Sequence, residues 1–354
     1  MMKDIWLIGR SVSCLPNMII KILDSIDFSS DRNAKISSVE NLLKAHAEGK
    51  HRLWMPISVI RELSKFDGLG PFSLRVLDEL MGQSIEEKGL HKDFLFFVRV
   101  DFFDKYVLSF DTGVLSAGYQ HFSDSAGTQE IILLTENDLD GDAYFWGAKT
   151  YLNSKKIRLG LSIDIQSGGG NTTYDRFSRL DRGKRFFACI IDSDKDHPKA
   201  ALGTTAKRFD SVTSGFQDRR YFEVLPCHEI ENILPFAIVR EVAKDKIKGE
   251  FVFDQKFLEY RMFVDHKAGV TIGQARVIDQ LHGGSYFSVF DDIEEDLGLC
   301  PKFGGGLLES CMKFMDSLSV KNAIQYVDES LDKDWVRLSK VVASWGVGGR
   351  GLRS

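Results

Sequence analysis

The chain has 354 residues, of which 43% are hydrophobic and 27% are charged, and its formal net charge is −5. This length allows two or three domains with real hydrophobic cores, and the composition excludes a disordered or fibrous protein. Proteins that bind nucleic acid mainly through non-specific phosphate contacts are usually basic, so any such contact is expected from a local patch or a partner.

The five cysteines and the hydropathy pattern indicate the cellular compartment of the protein. The cysteine count is odd and contains no CxxC pair, which argues against a disulfide framework and a zinc ribbon and favours a cytoplasmic protein. No run of about 18 apolar residues occurs, so no membrane span is predicted. The N-terminal residues lack the pattern of a signal peptide.

Residues 1–125 predict an N-terminal α+β region, mainly helical, with a role in regulation or assembly. Apolar residues at helical spacing predict three helices, and two apolar runs predict strands. The helices are centred on 39–43, 59–63 and 74–81, and the strands on 94–100 and 106–110. The Ser- and Gly-containing stretch 121–128 has the composition of a linker.

Residues 129–238 show a regular alternation of strand and helix patterns, which predicts a mostly parallel sheet flanked by helices, an α/β fold. The predicted strands are 131–135, 158–165, 185–191 and 220–225, and the predicted helices are 141–152, 171–180 and 200–209. Residues 239–354 predict a mainly helical C-terminal region.

Carboxylates follow three of the four predicted strands. They are Glu136 and Asp140, then Asp192 and Asp194, then Glu229 and Glu231. Function gathers at the carboxyl ends of parallel strands, and crowded carboxylates repel one another unless a hard cation joins them. The pattern therefore predicts a Mg²⁺ or Mn²⁺ site at this edge of the sheet.

Each acid also has an ordinary structural explanation. Glu136 suits the first turn of a helix, where the helix dipole favours a negative charge. Asp192 and Asp194 suit a turn after a strand, and Glu229 and Glu231 suit the start of a solvated helix. The joint pattern is more specific than any one of these residues, because its order and spacing are constrained.

The joint pattern resembles the Toprim domain, and most closely the OLD-family nucleases and the PARIS-type defence-associated Toprim nucleases. The resemblance covers roughly 130–235 and rests on Glu136 after the first strand, the glycine turn Gly168-Gly169-Gly170, and the pair Asp192 and Asp194. Asn137 stands where the family usually has glycine. The resemblance implies a metal-dependent nuclease in which Glu136, Asp192 and Asp194 are catalytic and, with Asp140, Glu229 and Glu231, bind metal.

Two further elements are implied by the same resemblance. OLD-type sites recruit a lysine from beyond the sheet, and Lys267 is the candidate here, with Lys195 and Lys302 as rivals. OLD-type proteins usually carry an ATPase, but this sequence has no Walker A motif. A separate ATPase or sensor is therefore expected as a protein partner, unless the chain forms a homo-oligomer.

A group of basic residues supplies the predicted nucleic-acid contact. Arg179, Arg182, Lys184 and Arg185 lie between the second helix and the third strand. They suit a patch that follows phosphates, although a solvated helix face explains them as well.

The leading hypothesis is a nuclease acting on DNA or RNA as an anti-phage defence effector, and two alternatives stay open. The first is a non-catalytic sensor or assembly module with a degenerate Toprim domain, which the departure at Asn137 allows. The second is a PIN-like ribonuclease, but its first strand, at 5–9, supplies no aspartate. The aromatic C-terminal residues provide apolar surface for an interface or a core.

Overall fold

The N-terminal part of the protein contains a five-stranded sheet in this computed structural model, which describes residues 17–349. Its strands are β1 Asn17–Lys21, β2 His51–Trp54, β3 Phe97–Asp101, β4 Leu108–Asp111 and β5 Val114–Gly118. Their order is β2-β1-β3-β5-β4, and only β4 runs antiparallel to its neighbour. The accompanying helices are α1 Arg32–Ala47, α2 Ile57–Ser64, α3 Pro71–Gln83 and α4 Tyr119–Ser123.

The N-terminal region combines helices and strands, as the predicted α+β character implies. β3 and β4 overlap the predicted strands at 94–100 and 106–110, whereas β1, β2 and β5 were not predicted. Strands of four or five residues carry little periodicity, and their partners are distant in sequence, so pairing depends on the tertiary fold. The predicted linker at 121–128 is wrong, because α4 and a short 3₁₀ turn occupy it. Asn41 donates hydrogen bonds to the carbonyl oxygens of Phe122, at 3.0 Å, and Ser123, at 3.1 Å.

The second sheet forms the centre of the predicted α/β region. Its strands are β6 Ile131–Thr135, β8 Ile163–Ser167, β9 Phe187–Ile191, β10 Gly215–Phe216 and β11 Arg220–Val224, and a separate short strand β7 covers Gly160–Leu161. Their order is β10-β11-β9-β6-β8, and every pair except that of β10 is parallel. The mostly parallel sheet is thus confirmed.

Helices cover both faces of this sheet. They are α5 Asp138–Ser154, α6 Thr173–Asp181 and α7 Thr204–Lys207. Leu133 faces the main core, whereas Leu134 faces a smaller core that includes Phe177 and Phe209. The predicted strand at 158–165 is divided into β7 and β8, and the predicted helix at 200–209 shortens to α7.

The C-terminal region is mainly helical, as predicted. Its helices are α8 Phe236–Ala243, α9 Ile272–Leu281, α10 Leu307–Ser317, α11 Val320–Gln325 and α12 Lys333–Gly346, with strands β12 Val270–Thr271, β13 Gly298–Cys300 and β14 Val347–Gly348. β14 pairs with β7, and β12 pairs with β13. No helix between residues 17 and 349 is long and apolar enough to cross a membrane.

One hydrophobic core crosses both predicted domain boundaries. It contains Phe122 from the first region, Leu133 from the second and Trp345 from the third. The ring of Trp345 packs against Phe96, with ring centroids 4.7 Å apart. Several C-terminal aromatic residues considered for an interface are buried in this core instead, namely Phe287, Phe290, Trp335 and Trp345.

The close packing of α5 on β8 depends on Gly141, where a Cβ atom would lie 2.3 Å from Cγ2 of Ile165. We expect Gly141→Ala to lower the free energy of unfolding by about 1–3 kcal/mol, because the helix must move away from the sheet. Gly82 in α3 is the control, since a Cβ atom there meets nothing within 4 Å. Gly82→Ala should instead stabilise the protein, by about 0.5–1 kcal/mol. Urea denaturation measures both, and equal effects would contradict this account.

Candidate functional site

The sheet register places Glu136 and Asp192 at the same edge of the sheet. In the parallel pair β6 and β9, Leu134 lies opposite Cys189. Glu136 follows β6 and Asp192 follows β9, so both come at the carboxyl ends of neighbouring strands. The backbone of Asp192 also forms a hydrogen bond that lowers the pKa of Glu136.

The glycine turn supports the backbone of Glu136. The amide of Gly169 donates to the carbonyl oxygen of Glu136 at 3.1 Å, and Ser167 Oγ donates to the same oxygen at 3.1 Å. Gly169 and Gly170 have φ angles of 73° and 60°, a conformation that glycine adopts without strain. The turn after the second strand therefore holds the residue after the first.

Asn137, the departure from the Toprim pattern, begins helix α5. Its backbone amide donates to Asp140 Oδ2 at 3.0 Å, as in a capping box. Asp140 is buried, and its charge contributes to the raised pKa values of Glu136 and Asp192. Asp140 therefore starts the helix and also belongs to the acidic cluster.

The loop after β9 is tied to the loop after β11. Asp192 Oδ1 accepts from the amide of Ile230 at 3.0 Å, and the amide of Asp194 donates to the carbonyl oxygen of His228 at 2.9 Å. Asp194 is exposed and has a φ angle of 54°. At Gly203, a Cβ atom would lie 2.1 Å from Asp194 Oδ2, so the missing side chain makes room for this carboxylate.

Lys267 reaches the cluster from the C-terminal region. Its Nζ atom lies 2.5 Å from Oε2 of Glu229, whose side chain is only 5% exposed. The rival Lys195 donates to the carbonyl oxygen of Pro198 in its own loop, at 2.7 Å. Burial lowers the pKa of Lys267, but its bond to Glu229 and the charge of Glu231 outweigh this effect and raise it.

Two residues that sequence reasoning missed, Asn232 and Arg261, join the segment before Lys267 to the chain after β11. Arg261 is buried and donates to the carbonyl oxygens of Glu231, at 2.6 Å, and Leu234, at 3.1 Å. Asn232 Nδ2 donates to the carbonyl oxygen of Val264 at 2.8 Å. These partners are about thirty residues apart in sequence, so no local pattern indicates them.

Burial, and to a smaller extent the neighbouring negative charges, raise the pKa values of the acidic cluster. Burial, then the charges of Asp194 and Asp140, raise the pKa of Glu136 to about 7. Burial and the charge of Glu229 raise the pKa of Glu231 to about 7. Burial also raises the pKa of Asp140 to about 6 and, with the charges of Asp140 and Glu136, raises that of Asp192 well above its ordinary value.

The donor chemistry of the cluster suits a hard cation. Oε1 of Glu136 and Oε1 of Glu229 are buried without a hydrogen-bond partner, and oxygen ligands favour Mg²⁺ or Mn²⁺. Within residues 17–349, however, no three or more His, Cys, Asp or Glu side chains stand in an arrangement that could hold a metal. The carboxylates would have to turn toward a common point to bind one.

The stability of the metal-free protein should rise as the pH falls. The folded chain binds protons at Glu136 and Glu231 more tightly than the unfolded chain, because their pKa values are raised to about 7. The gain should accumulate from about pH 7 down to about pH 4.3, the unfolded value for glutamate. Allowing for solvent screening, we expect about 2 kcal/mol in total.

Urea denaturation in EDTA at several pH values measures this gain, and Glu136→Gln should reduce it. Mg²⁺ should stabilise the protein most above the raised pKa values, because metal ligands must be deprotonated. A stability that falls steadily from neutral to acidic pH in EDTA would contradict the raised pKa values.

The predicted basic patch lies at the other edge of the sheet. Arg185 precedes β9, whereas Asp192 follows it. Lys184 Nζ pairs with Asp124 at 2.6 Å, and Arg185 pairs with Asp164 at 2.9 Å. Arg179 and Arg182 are exposed at the end of α6. The structure therefore does not bring these four residues to the acidic cluster, and their role in nucleic-acid binding stays a prediction.

The first strand considered for a PIN-like protein, at 5–9, lies outside the described residues. No protein-family model, curated protein or solved structure significantly matches this chain.

Proposed function

We propose that this chain is a divalent-metal-dependent nuclease with a Toprim-like domain, which hydrolyses phosphodiester bonds in DNA or RNA. The supporting observation is that Glu136 and Asp192 follow adjacent parallel strands, with Asp194 close enough to raise the pKa of Glu136. Perturbed carboxylates at such an edge are typical of functional sites. Crowding of this kind is unfavourable without a bound cation.

Each residue has a role in this proposal. A bound Mg²⁺ or Mn²⁺ would polarise the phosphodiester and supply a nucleophile from water. Glu136, Asp192 and Asp194 would hold the metal, and Asp140, Glu229 and Glu231 would surround it or complete its ligands. The side chain of Lys267 is 53% exposed although it pairs with Glu229, so its ammonium group can also contact a substrate phosphate.

The direct test is cleavage of supercoiled plasmid, single-stranded DNA and transfer RNA by purified protein with Mg²⁺ or Mn²⁺. We expect cleavage of at least one substrate, and EDTA should stop it. Residues 17–349 contain no preformed group of three metal ligands, which favours a non-catalytic sensor as the second candidate. Metal binding seen by calorimetry, without cleavage of any substrate, would support that candidate instead.

Control of this activity is a further part of the proposal. An uncontrolled nuclease in the cytoplasm would damage its host, so we expect a homo-oligomer or an inhibitory or activating partner, as in a defence effector. Light scattering should give a mass above the 40.0 kDa of one chain, or activity should require a second protein. A monomer that is fully active alone would contradict this expectation.

A further inference from the structure

Helix α6 connects the acidic edge of the second sheet to the opposite edge. It begins at Thr173, just beyond the glycine turn whose Gly169 amide donates to the carbonyl oxygen of Glu136. Strands β8 and β9 both run parallel to β6, so the helix between them returns the chain from the carboxyl edge to the start of β9. The surface of α6 therefore leads away from the acidic cluster.

Exposed arginines follow one another along this helix. Arg176, Arg179 and the C-capping residue Arg182 are exposed. Each is three residues from the next, so they are neighbours on the helix surface. None of the three forms an ion pair with another residue between 17 and 349. The helix thus presents a line of positive charge without carboxylate partners.

The aspartates of α6 do not neutralise these arginines. Asp175 pairs with Arg208 at 2.8 Å, and Asp181 pairs with Arg220 at 3.0 Å. Each aspartate therefore compensates an arginine from another segment. The exposed face of α6 keeps an excess of positive charge.

Helix α7 continues the positive charge toward the acidic cluster. It begins beside Asp194, because a Cβ atom on its N-cap residue Gly203 would lie 2.1 Å from Asp194 Oδ2. At its other end, Arg208 donates to the carbonyl oxygen of Asn171 and so joins α7 to the start of α6. Lys207, the last residue of α7, is exposed and forms no ion pair within the described part of the chain.

The face of α6 offers charge but no free aromatic surface. Phe177 is buried, and Tyr174 packs edge-on against Phe209 with ring centroids 5.1 Å apart. The guanidinium group of Arg208 covers the ring of Tyr174 at 5.1 Å. Sites for single-stranded nucleic acid usually combine a positively charged groove with aromatic side chains on which bases stack. Charge alone suits the phosphates of a duplex, whose bases already stack on one another.

We propose that a basic row, formed by Lys207, Arg176, Arg179 and Arg182, binds the phosphate backbone of double-stranded DNA or RNA and leads it to the acidic cluster. The position of the reacting phosphate rests on the proposed nuclease function, whereas the binding itself does not. The whole chain has a net charge of −5, so a local row of this kind supplies the attraction to a polyanion that the overall charge lacks. Phosphate contacts carry no sequence information, so this binding is independent of sequence.

Fluorescence anisotropy with labelled oligonucleotides tests the basic row. Short DNA and RNA duplexes and their separate single strands are titrated in EDTA at several salt concentrations, so that neither metal binding nor cleavage contributes. We expect duplexes to bind more tightly than single strands. Each phosphate contact adds about 0.9 to the steepness with which log K for duplex DNA falls with log salt. Arg176→Gln, Arg179→Gln and Arg182→Gln should each reduce this slope by about 0.9 and weaken binding roughly three- to tenfold.

Two control variants separate a local contact from a change in overall charge. Arg240 is an exposed arginine of α8 without an ion pair among the described residues. Arg240→Gln changes the net charge by the same amount and should leave the slope unchanged. Arg179→Lys keeps the positive charge and should keep most of the slope. Because these side chains are exposed, none of the substitutions should unfold the protein.

The outcomes distinguish the basic row from the nuclease proposal. Weaker duplex binding with a smaller slope in the α6 variants, without cleavage of any substrate in Mg²⁺ or Mn²⁺, supports the basic row and refutes the nuclease. Cleavage by α6 variants that keep the original affinity and slope supports the nuclease and overturns the basic row, whose arginines would then be a solvated helix face. Tighter binding of single strands, an equal loss in Arg240→Gln, or no binding of any duplex would also overturn it.

Discussion

Asp192→Ala should reduce metal-dependent cleavage by more than about 100-fold, since even residues that only support metal ligands contribute about 10- to 100-fold. The protein should remain folded. Burial and the neighbouring carboxylates raise the pKa of Asp192 well above its ordinary value, so removing this group relieves repulsion. The loss of one acceptor for the amide of Ile230 partly offsets this gain. Cleavage assays measure the loss of activity, and urea denaturation of the same preparation measures the stability of the fold.

Asp138→Ala is the matched control for Asp192→Ala. Asp138 is an exposed aspartate at the start of α5, two residues after Glu136. Its removal should change cleavage little. Full activity of a folded Asp192→Ala protein would remove Asp192 from the site, and equal losses in both variants would show that the assay responds to net charge alone.

Lys267→Met should lower cleavage on the order of 100-fold, because a positive charge beside the reacting phosphate is lost. It should also lower the free energy of unfolding. The side chain of Glu229 is 5% exposed and would lose its counter-charge, whereas Lys267 is 53% exposed. Breaking a buried ion pair costs about 3–5 kcal/mol, and solvent screening at Lys267 reduces this to about 1–3 kcal/mol.

Lys195→Met is the matched control for Lys267→Met. Lys195 follows the Asp192–Asp194 pair directly in sequence, yet its Nζ atom donates to the carbonyl oxygen of Pro198. It should cost no more than about 0.5 kcal/mol and leave most of the activity. If Lys195→Met abolished cleavage and Lys267→Met did not, the lysine would have been assigned to the wrong position.

The sequence alone predicted the parts of the site that are local in the chain. The runs Ile131–Thr135 and Phe187–Ile191 are continuous apolar strands, and such runs are recognisable because both faces of a parallel sheet are buried. Glu136 and Asp192 follow them directly, so their common edge could be predicted from strand direction. The turn at Gly168-Gly169-Gly170 was predicted from composition. Its hydrogen bond to the carbonyl oxygen of Glu136 is visible only in the folded structure.

Other features could not be predicted, because they depend on contacts between distant residues. Three strands of the N-terminal sheet, β1, β2 and β5, were not predicted, since they are short and pair with residues distant in sequence. The three predicted regions also share one core that no local pattern reveals.

The sequence by itself determined the apolar strands and the acids that follow them, because a strand's burial and its terminal residues are encoded locally. Only the tertiary structure decided that Lys267, rather than Lys195, contacts the acidic cluster. It also decided that the basic residues before β9 lie at the opposite edge. These arrangements follow from how separate segments pack, and packing depends on the whole set of buried side chains rather than on neighbours in sequence.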